Sequence, residues 1–239
     1  MVLKKVQEDH SVTSSEAETG FLLTYYVYDV RGNLVLVLQP EGYRRLPAAV
    51  NGTVTLEKPF QDTWCFRYEY DGRRRVIEKQ VPGAGAVLMV YNRRDQLVLT
   101  QDSVQRAKEQ WSFTKYDVLD RPVLTGLVKL AGKDQATAQG EVNAATALHE
   151  EKDTTTTVGY SFTKSYPTGV TEADLLSITY YDDYTYAALD TAAFIPELGY
   201  SKDSWNRQVR GQVTGSRTRV LGTSDWLTSV NFFDDKYRR

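Results

Sequence analysis

The residues best suited to chemistry are two aspartate pairs, Asp182-Asp183 and Asp234-Asp235. Paired carboxylates can divide acid and base work in glycoside hydrolysis, or chelate Ca²⁺. In each pair, however, the first aspartate follows an aromatic residue in a pattern that recurs along the chain, which commits it to backbone geometry. Cys65 is the single cysteine, and the two histidines are His10 and His149. Their spacing matches no zinc set. With no histidine placed to activate it, the Cys65 thiol reads as buried and structural. His149 falls late in a candidate helix, where a cation is mildly favourable. Gly83-Ala84-Gly85 lacks the third glycine of a dinucleotide loop, and Gly211 to Gly215 lacks the lysine of a phosphate loop. Both read as turns. Arg73-Arg74-Arg75 and Arg93-Arg94 read as solvated charge at hairpin tips, with contact to a phosphate or an acidic glycan as the alternative. None of these residues implies a cofactor or a bound metal.

The recurring pattern is an aromatic residue followed by Asp or Asn. It occurs at Tyr28-Asp29, Tyr70-Asp71, Tyr91-Asn92, Tyr116-Asp117 and Tyr181-Asp182, with Phe233-Asp234 as a weaker sixth case. The first four continue alike. Gly32, Arg74, Asp95 and Asp120 stand three residues after the Asp or Asn, and Leu34, Val76, Leu97 and Pro122 stand five after it. A side-chain carboxylate or amide can accept the backbone N–H two residues on and so start a turn. Gly, and less readily Asp, tolerates the left-handed backbone that closes a short hairpin loop. Alternation flanks the turns, as with Phe66, Tyr68 and Tyr70 before one and Val76 and Glu78 after it. Each unit therefore reads as strand, turn and strand. Trp64, Trp111 and Trp226 stand 7, 6 and 8 residues ahead of Asp71, Asp117 and Asp234, where they mark strand starts. They read first as packing between neighbouring hairpins, and second as an aromatic platform for a ligand.

The elements between the turns follow from composition. Residues 21–38 are apolar enough for a hairpin buried on both faces. Residues 40–60, rich in Pro and Gly, read as a loop with one extra strand around Gly52–Leu56. Residues 133–152 predict the one helix, with Ala138, Val142, Ala145 and Leu148 as its apolar stripe. Thr154 to Lys164 is β-branched and aromatic and reads as strand. Residues 184–207 read as a long loop. Residues 1–20 are polar and unpatterned and are expected to be mostly disordered. That leaves residues 21–239 as one module. The fold class is all-β and mainly antiparallel: an array of hairpins forming a long curled sheet, with one short inserted helix.

The turns around Tyr26-Val27-Tyr28-Asp29, Tyr68-Glu69-Tyr70-Asp71 and Tyr116-Asp117 resemble the YD repeat of the Rhs and teneurin families. The stretches Ser177 to Tyr184 and Gly215 to Gly222 resemble in particular the Rhs-repeat surface proteins of the Bacteroidetes. The resemblance covers roughly residues 21–239. It implies a ribbon of β-hairpins spiralling into a hollow shell, which in relatives encloses a C-terminal toxin or forms the body of an adhesive surface protein. The partners it implies are flanking repeats of the same polypeptide and a glycan or toxin-like domain. The Asp-Pro autoproteolysis motif of such shells is missing here, so self-cleavage and a payload are not carried over.

Composition bounds the rest. The chain has 239 residues, 41% hydrophobic and 25% charged, as in an ordinary soluble protein. A net charge of −2 gives no global field to attract nucleic acid or an anionic membrane. No stretch approaches the roughly 18 apolar residues of a membrane helix. The expected function is a non-catalytic structural repeat, part of the wall or stalk of a large secreted or cell-surface protein. The alternatives are a carbohydrate-binding or adhesion module using exposed aromatics, and a glycoside hydrolase. No secretory signal opens the chain, so it is either intracellular or a piece of a longer polypeptide. The half-hairpin at its C-terminus favours the second. Exposed edge strands are expected near Phe21–Val27 and Ser229–Phe233, where they would support self-association.

Overall fold

The computed structural model describes residues 2–7, 21–51, 53–186, 189, 209–233 and 236. The chain divides into two compact units, Met1–Met89 with Gln101–Ala107, and Val90–Thr100 with Lys108–Arg239. Both are built from antiparallel strands that pair with their neighbours in sequence. The expected all-β, antiparallel class is what the structure has.

In the first unit the strands are β1 (Val2–Gln7), β2 (Phe21–Tyr28), β3 (Leu34–Leu38), β4 (Cys65–Tyr70), β5 (Val76–Gln80) and the start of β6 (Val87–Tyr91). β1 pairs with β2 from Val2 opposite Tyr26 to Gln7 opposite Phe21. The segment expected to be mostly disordered thus contributes a strand, while residues 8–20 lie outside the described residues. β2 is covered on both sides, by β1 and β3, and is not the exposed edge expected at Phe21–Val27.

Two short helices replace the extra strand expected near residue 54. α1 (Pro40–Arg44) and α2 (Lys58–Trp64) each carry a proline in the first turn, and the described residues between them hold only a Val50–Thr53 bridge. Proline at that position starts a helix as readily as it interrupts a strand. Gly42 lets α1 close onto its neighbours, since a Cβ there would lie 2.7 Å from the Leu38 side chain and 2.8 Å from Trp64. A third helix, α3 (Ser103–Ala107), begins with a reciprocal cap. Asp102 accepts the Gln105 N–H at 2.7 Å, and Gln105 accepts the Asp102 N–H at 3.0 Å.

The second unit holds the end of β6, then β7 (Leu97–Gln101, its last residue in the first unit), β8 (Gln110–Tyr116), β9 (Pro122–Lys129), α4 (Gln135–Ala144), β10 (Leu175–Asp182), β11 (Val209–Arg219) and β12 (Trp226–Val230). One face of β8 alternates cleanly into the core, burying Trp111, Phe113 and Lys115. β9 and β10 add Val123, Leu124, Val128, Leu175, Ile178 and Tyr180. The segment between β9 and β10 buries Ala138, Val142, Val158, Tyr160 and Val170. It meets the sheet where the Tyr180 hydroxyl donates to the Val158 carbonyl at 2.9 Å. Gly211 and Gly215 lie inside β11 and are not turn glycines as expected.

This insertion departs from its expected form. The helix stops at Ala144 rather than continuing to residue 152, so His149 is not helical. It opens on Asp134, whose carboxylate accepts the Thr137 N–H at 2.8 Å. It ends because Ala145 turns extended, and the Glu150 N–H bonds the Tyr116 carbonyl at 2.8 Å instead of a helical partner. Residues 154–164 form turns rather than the expected strand, with one isolated bridge at Lys152–Tyr160. There the Thr155 N–H and the Thr155 and Thr156 hydroxyls take local bonds to Asp153. Such local bonds compete with a ladder. The long loop expected over 184–207 lies almost wholly outside the described residues.

Gly126 tests how closely the insertion is packed. A Cβ built there would lie 2.1 Å from the Asp174 carbonyl oxygen and 2.5 Å from the Phe113 ring. Gly126→Ala should therefore destabilise the protein by about 1–3 kcal/mol, the usual range for overpacking. A lowered urea midpoint is the expected reading, and an unchanged one would show that β9 and residue 174 are not in contact.

Candidate functional site

The repeated turns share one geometry. Asp29 Oδ1 accepts the N–H of Arg31 and of Asn33, both at 2.8 Å. Asp71 accepts Arg73 N–H at 2.8 Å and Arg75 N–H at 3.0 Å. Asn92 Oδ1 accepts Arg94 and Gln96 N–H at 2.9 and 3.1 Å. Asp117 accepts Leu119 and Arg121 N–H, each at 2.9 Å. Each of these residues also donates its own N–H to the carbonyl four residues on, and accepts at its carbonyl the N–H three residues on. The third residue after it is left-handed every time: Gly32 at φ 82°, Arg74 at 63°, Asp95 at 63° and Asp120 at 64°. The extra residue shows as a register shift just before the turn, so that Tyr28 faces Leu34, Tyr70 faces Val76 and Tyr116 faces Pro122.

The side chain four residues on closes the ring. The Asn33 amide and the Arg75 and Arg121 guanidinium groups donate to the second oxygen of their own aspartate at 2.8, 2.7 and 2.7 Å. Asn92, an amide, instead donates to the Gln96 side chain. The Asp29 carboxyl sits below the usual carboxylate range, chiefly through the Asn33 N–H. For Asp71, burial pushes upward, and the bonds from Arg75 and Arg73 more than offset it.

The tyrosine ahead of the turn reaches back one hairpin. Tyr70 Oη donates to the Leu34 carbonyl at 2.9 Å, Tyr116 Oη to Leu97 at 2.9 Å, and Tyr181 Oη to Pro122 at 3.2 Å. In every case the acceptor is the residue five after the preceding Asp or Asn. Tyr28, in the first hairpin, is exposed. Neighbouring turns also touch: the Gln96 amide and the Arg94 guanidinium both donate to Asp120 Oδ1 at 2.9 Å.

Asp182 does not start such a turn. Its carboxylate takes a bidentate pair of bonds from Arg121, at 2.9 and 2.6 Å, and the Gly211 N–H at 2.7 Å. Arg121 also lies 4.2 Å from the Tyr181 ring centroid. Arg121 thus ties the turn aspartate Asp117 to the end of β10. Asp183 is engaged separately, by the Lys152 ammonium at 2.6 Å and the Thr185 N–H at 2.9 Å. Arg121 holds the Asp182 carboxyl below its usual range against the effect of burial. For Asp183, burial acts upward, and Lys152 with Thr185 prevails. A glycosidase acid needs a carboxyl with raised pKa. Neither aspartate has one. Among the described residues there is no cluster of three metal-ligating side chains. Asp234 and Asp235 lie outside the described residues.

Trp64, Trp111 and Trp226 lie in three different settings. Trp111 is wholly buried in β8. Trp64 ends α2 with the Arg45 guanidinium 4.9 Å from its ring centroid, and Trp226 opens β12 with Arg217 at 4.8 Å. Cys65 opens β4 and is buried, which pushes its thiol pKa up to about 11.

The sequence reading missed Lys115 and Glu150. Both side chains have 0% exposure, and Lys115 Nζ lies 2.8 Å from Glu150 Oε1. Lys115 also donates to the Ser165 carbonyl at 2.7 Å. Glu150 Oε1 accepts the Ser165 N–H at 2.9 Å and hydroxyl at 2.7 Å, and Oε2 accepts the Ser161 hydroxyl at 2.7 Å. Burial acts to raise the Glu150 carboxyl, and Lys115 with the two serines holds it below its ordinary value. The missed signal was periodicity: Lys115 stands in the same inward phase as Trp111 and Phe113.

No family model matches the chain, and no curated protein matches it. Solved structures that align with it include a crystal structure of TcdB2-TccC3, at 12% identity over 87% of this chain and 9% of that chain, with a TM-score of 0.32. Another is TcdB2-TccC3-TEV, at 15% identity over 94% and 10%, with a TM-score of 0.34. A third is the Photorhabdus luminescens Tc holotoxin pore, at 14% identity over 95% and 10%, with a TM-score of 0.33. The chain spans about a tenth of the length of those chains.

Two outcomes follow from the turn geometry. Tyr70→Phe and Tyr116→Phe each remove one hydrogen bond while keeping the ring, and should cost about 0.5–1.5 kcal/mol, measured as a shift in urea midpoint. Equal midpoints for wild type and both variants would remove the hydroxyl from any structural role. Acid should also act through the turns. Asp29 and Asp71 have lowered folded pKa values, so their contribution is complete above the unfolded value of about 4 and is lost as pH falls through the lower folded values. The urea midpoint should fall steadily below about pH 4, and less steeply in Asp71→Asn. A midpoint independent of pH across that range would contradict the bonding.

Proposed function

We propose that the chain is a non-catalytic hairpin-repeat module that serves as a stretch of wall or stalk in a large secreted or cell-surface protein of the Rhs type. The observation that carries this reading is the tyrosine that bonds the preceding hairpin in the same register at Tyr70, Tyr116 and Tyr181. A bond of this kind spaces one hairpin against the next and does nothing to a substrate. Flanking repeats of the same polypeptide are the natural partners, because Leu34, Leu97 and Pro122 offer the same acceptor to the strand that follows. The paired carboxylates Asp182 and Asp183 are engaged by Arg121 and Lys152. Arginines lie over Trp64 and Trp226, which disfavours the carbohydrate-binding alternative.

Hydrogen exchange read by mass spectrometry tests the mechanical role. Tyr70→Phe should raise exchange in the preceding hairpin, residues 21–38, as well as in its own. A glycan array should give no saturable signal. Exchange confined to the mutated hairpin would break the link between repeats. A glycan signal lost in Trp64→Ala or Trp226→Ala would replace the mechanical reading with an adhesive one.

A further inference from the structure

The Lys115–Glu150 pair stands apart from the repeat. Both groups are withdrawn completely from solvent and touch at 2.8 Å. A buried ion pair is costly, because two charges leave water for an interior that repays only part of their hydration. The amine and the carboxyl are also the two groups whose condensation would remove both charges.

We propose that Lys115 and Glu150 condense into an intramolecular amide, Nζ to Cδ, with loss of one water. The ammonium first passes a proton to Oε1 across the 2.8 Å contact, leaving a neutral amine beside a neutral acid. The Nζ lone pair attacks Cδ, and the carbonyl electron pair moves onto Oε2. The Ser161 hydroxyl, at 2.7 Å, and the Lys164 N–H, at 3.3 Å, are aimed at that oxygen. Donors fixed on a developing oxyanion lower the barrier without reorganising. The carbonyl then re-forms and the Cδ–Oε1 bond breaks. A second proton passes from Nζ to the departing Oε1, against which Nζ already lies at 2.8 Å, and water departs. One C–N bond forms, one C–O bond breaks, and two ammonium protons leave on the water. No oxidant, reductant or cofactor is consumed.

The surroundings suit the product. The amide N–H would keep the Ser165 carbonyl that Nζ already meets at 2.7 Å. The amide oxygen would keep the Ser161 and Lys164 donors. Exclusion of bulk water removes the reagent for hydrolysis, and the fixed contact removes the entropy cost of a bimolecular encounter. The hydroxyls of Ser161 and Ser165 and the N–H groups of Lys164 and Ser165 also stabilise the carboxylate and so slow the first step. The bond is therefore expected to mature after folding. It would tie β8 covalently to the insertion, whatever role the module plays in its parent.

Intact mass of the purified full chain under denaturing conditions decides the matter. The wild type should be lighter than its linear sequence by one water, and Lys115→Met should have its full linear mass. A tryptic digest of the wild type should contain a branched peptide joining the segments around residues 115 and 150. This readout needs no variant to fold. A wild-type mass equal to the linear sequence, after prolonged incubation of the folded protein, overturns the proposal. So does a water loss that persists in Lys115→Met.

Discussion

One side-chain oxygen per hairpin sets most of the local geometry. Oδ1 of Asp29, Asp71, Asn92 and Asp117 takes two backbone N–H groups, two and four residues on. That double bond count leaves little choice of turn length. The next-but-two residue must then turn left-handed, which costs an arginine at position 74 more than it costs Gly32. The turn absorbs one residue more than its partner strand and shifts the register at the tyrosine. A slip of one residue would exchange the two faces of the strand. The carboxylate therefore decides which way the tyrosine points, and through it where the preceding hairpin sits.

The bonds between hairpins are individually modest, at about 1 kcal/mol net for a neutral hydrogen bond. Repetition gives them weight, since in a repeat each unit is stabilised by its nearest neighbours. Charge is used in the same way. Arg121 serves its own aspartate, Asp117, and the aspartate of β10, Asp182, so one guanidinium joins two successive strand pairs. Its planar fork can make both contacts at once, which a lysine could not. Where the chain abandons the tight hairpin after β10, the aspartate survives with a new task. Asp182 turns left-handed at φ 74° and binds Gly211 of the following strand.

The turns were legible in the sequence because their bonds are local. The donors lie two and four residues from the acceptor, and Leu34, Val76, Leu97 and Pro122 repeat at fixed offset. The short helices carry local signals too, at Pro40, Pro59 and the Asp102–Gln105 pair, but the Pro and Gly around the first two suit a loop equally well. The path after Ala144 was not legible. Ala145 and Leu148 continue a helical stripe, and only a distant acceptor, the Tyr116 carbonyl, draws the Glu150 N–H away from it. Trp226 does open a strand, whereas Trp64 closes a helix and Trp111 sits one residue inside β8. Their rings gave no hint of which would be buried. That depends on what covers each face, and the covering segments are remote in sequence.

The insertion between β9 and β10 needs a different kind of hold. It has one helix of ten residues and otherwise few regular bonds, yet it closes over Tyr180, which stacks on Tyr160 and donates to the Val158 carbonyl. Apolar contact alone would let such a segment slide, because burial is non-directional. A methionine and a leucine in place of Lys115 and Glu150 would fill the site at less cost in desolvation. They would fix no register. Glu150 instead makes bonds to Lys115, Ser161, Lys164 and Ser165, and each of these has one geometry. Three lie on the insertion and one on β8, so the cluster folds the insertion on itself and seats it on the sheet in the same act. Whether charged or joined, the pair specifies that one arrangement, with stability coming from the apolar surface around it.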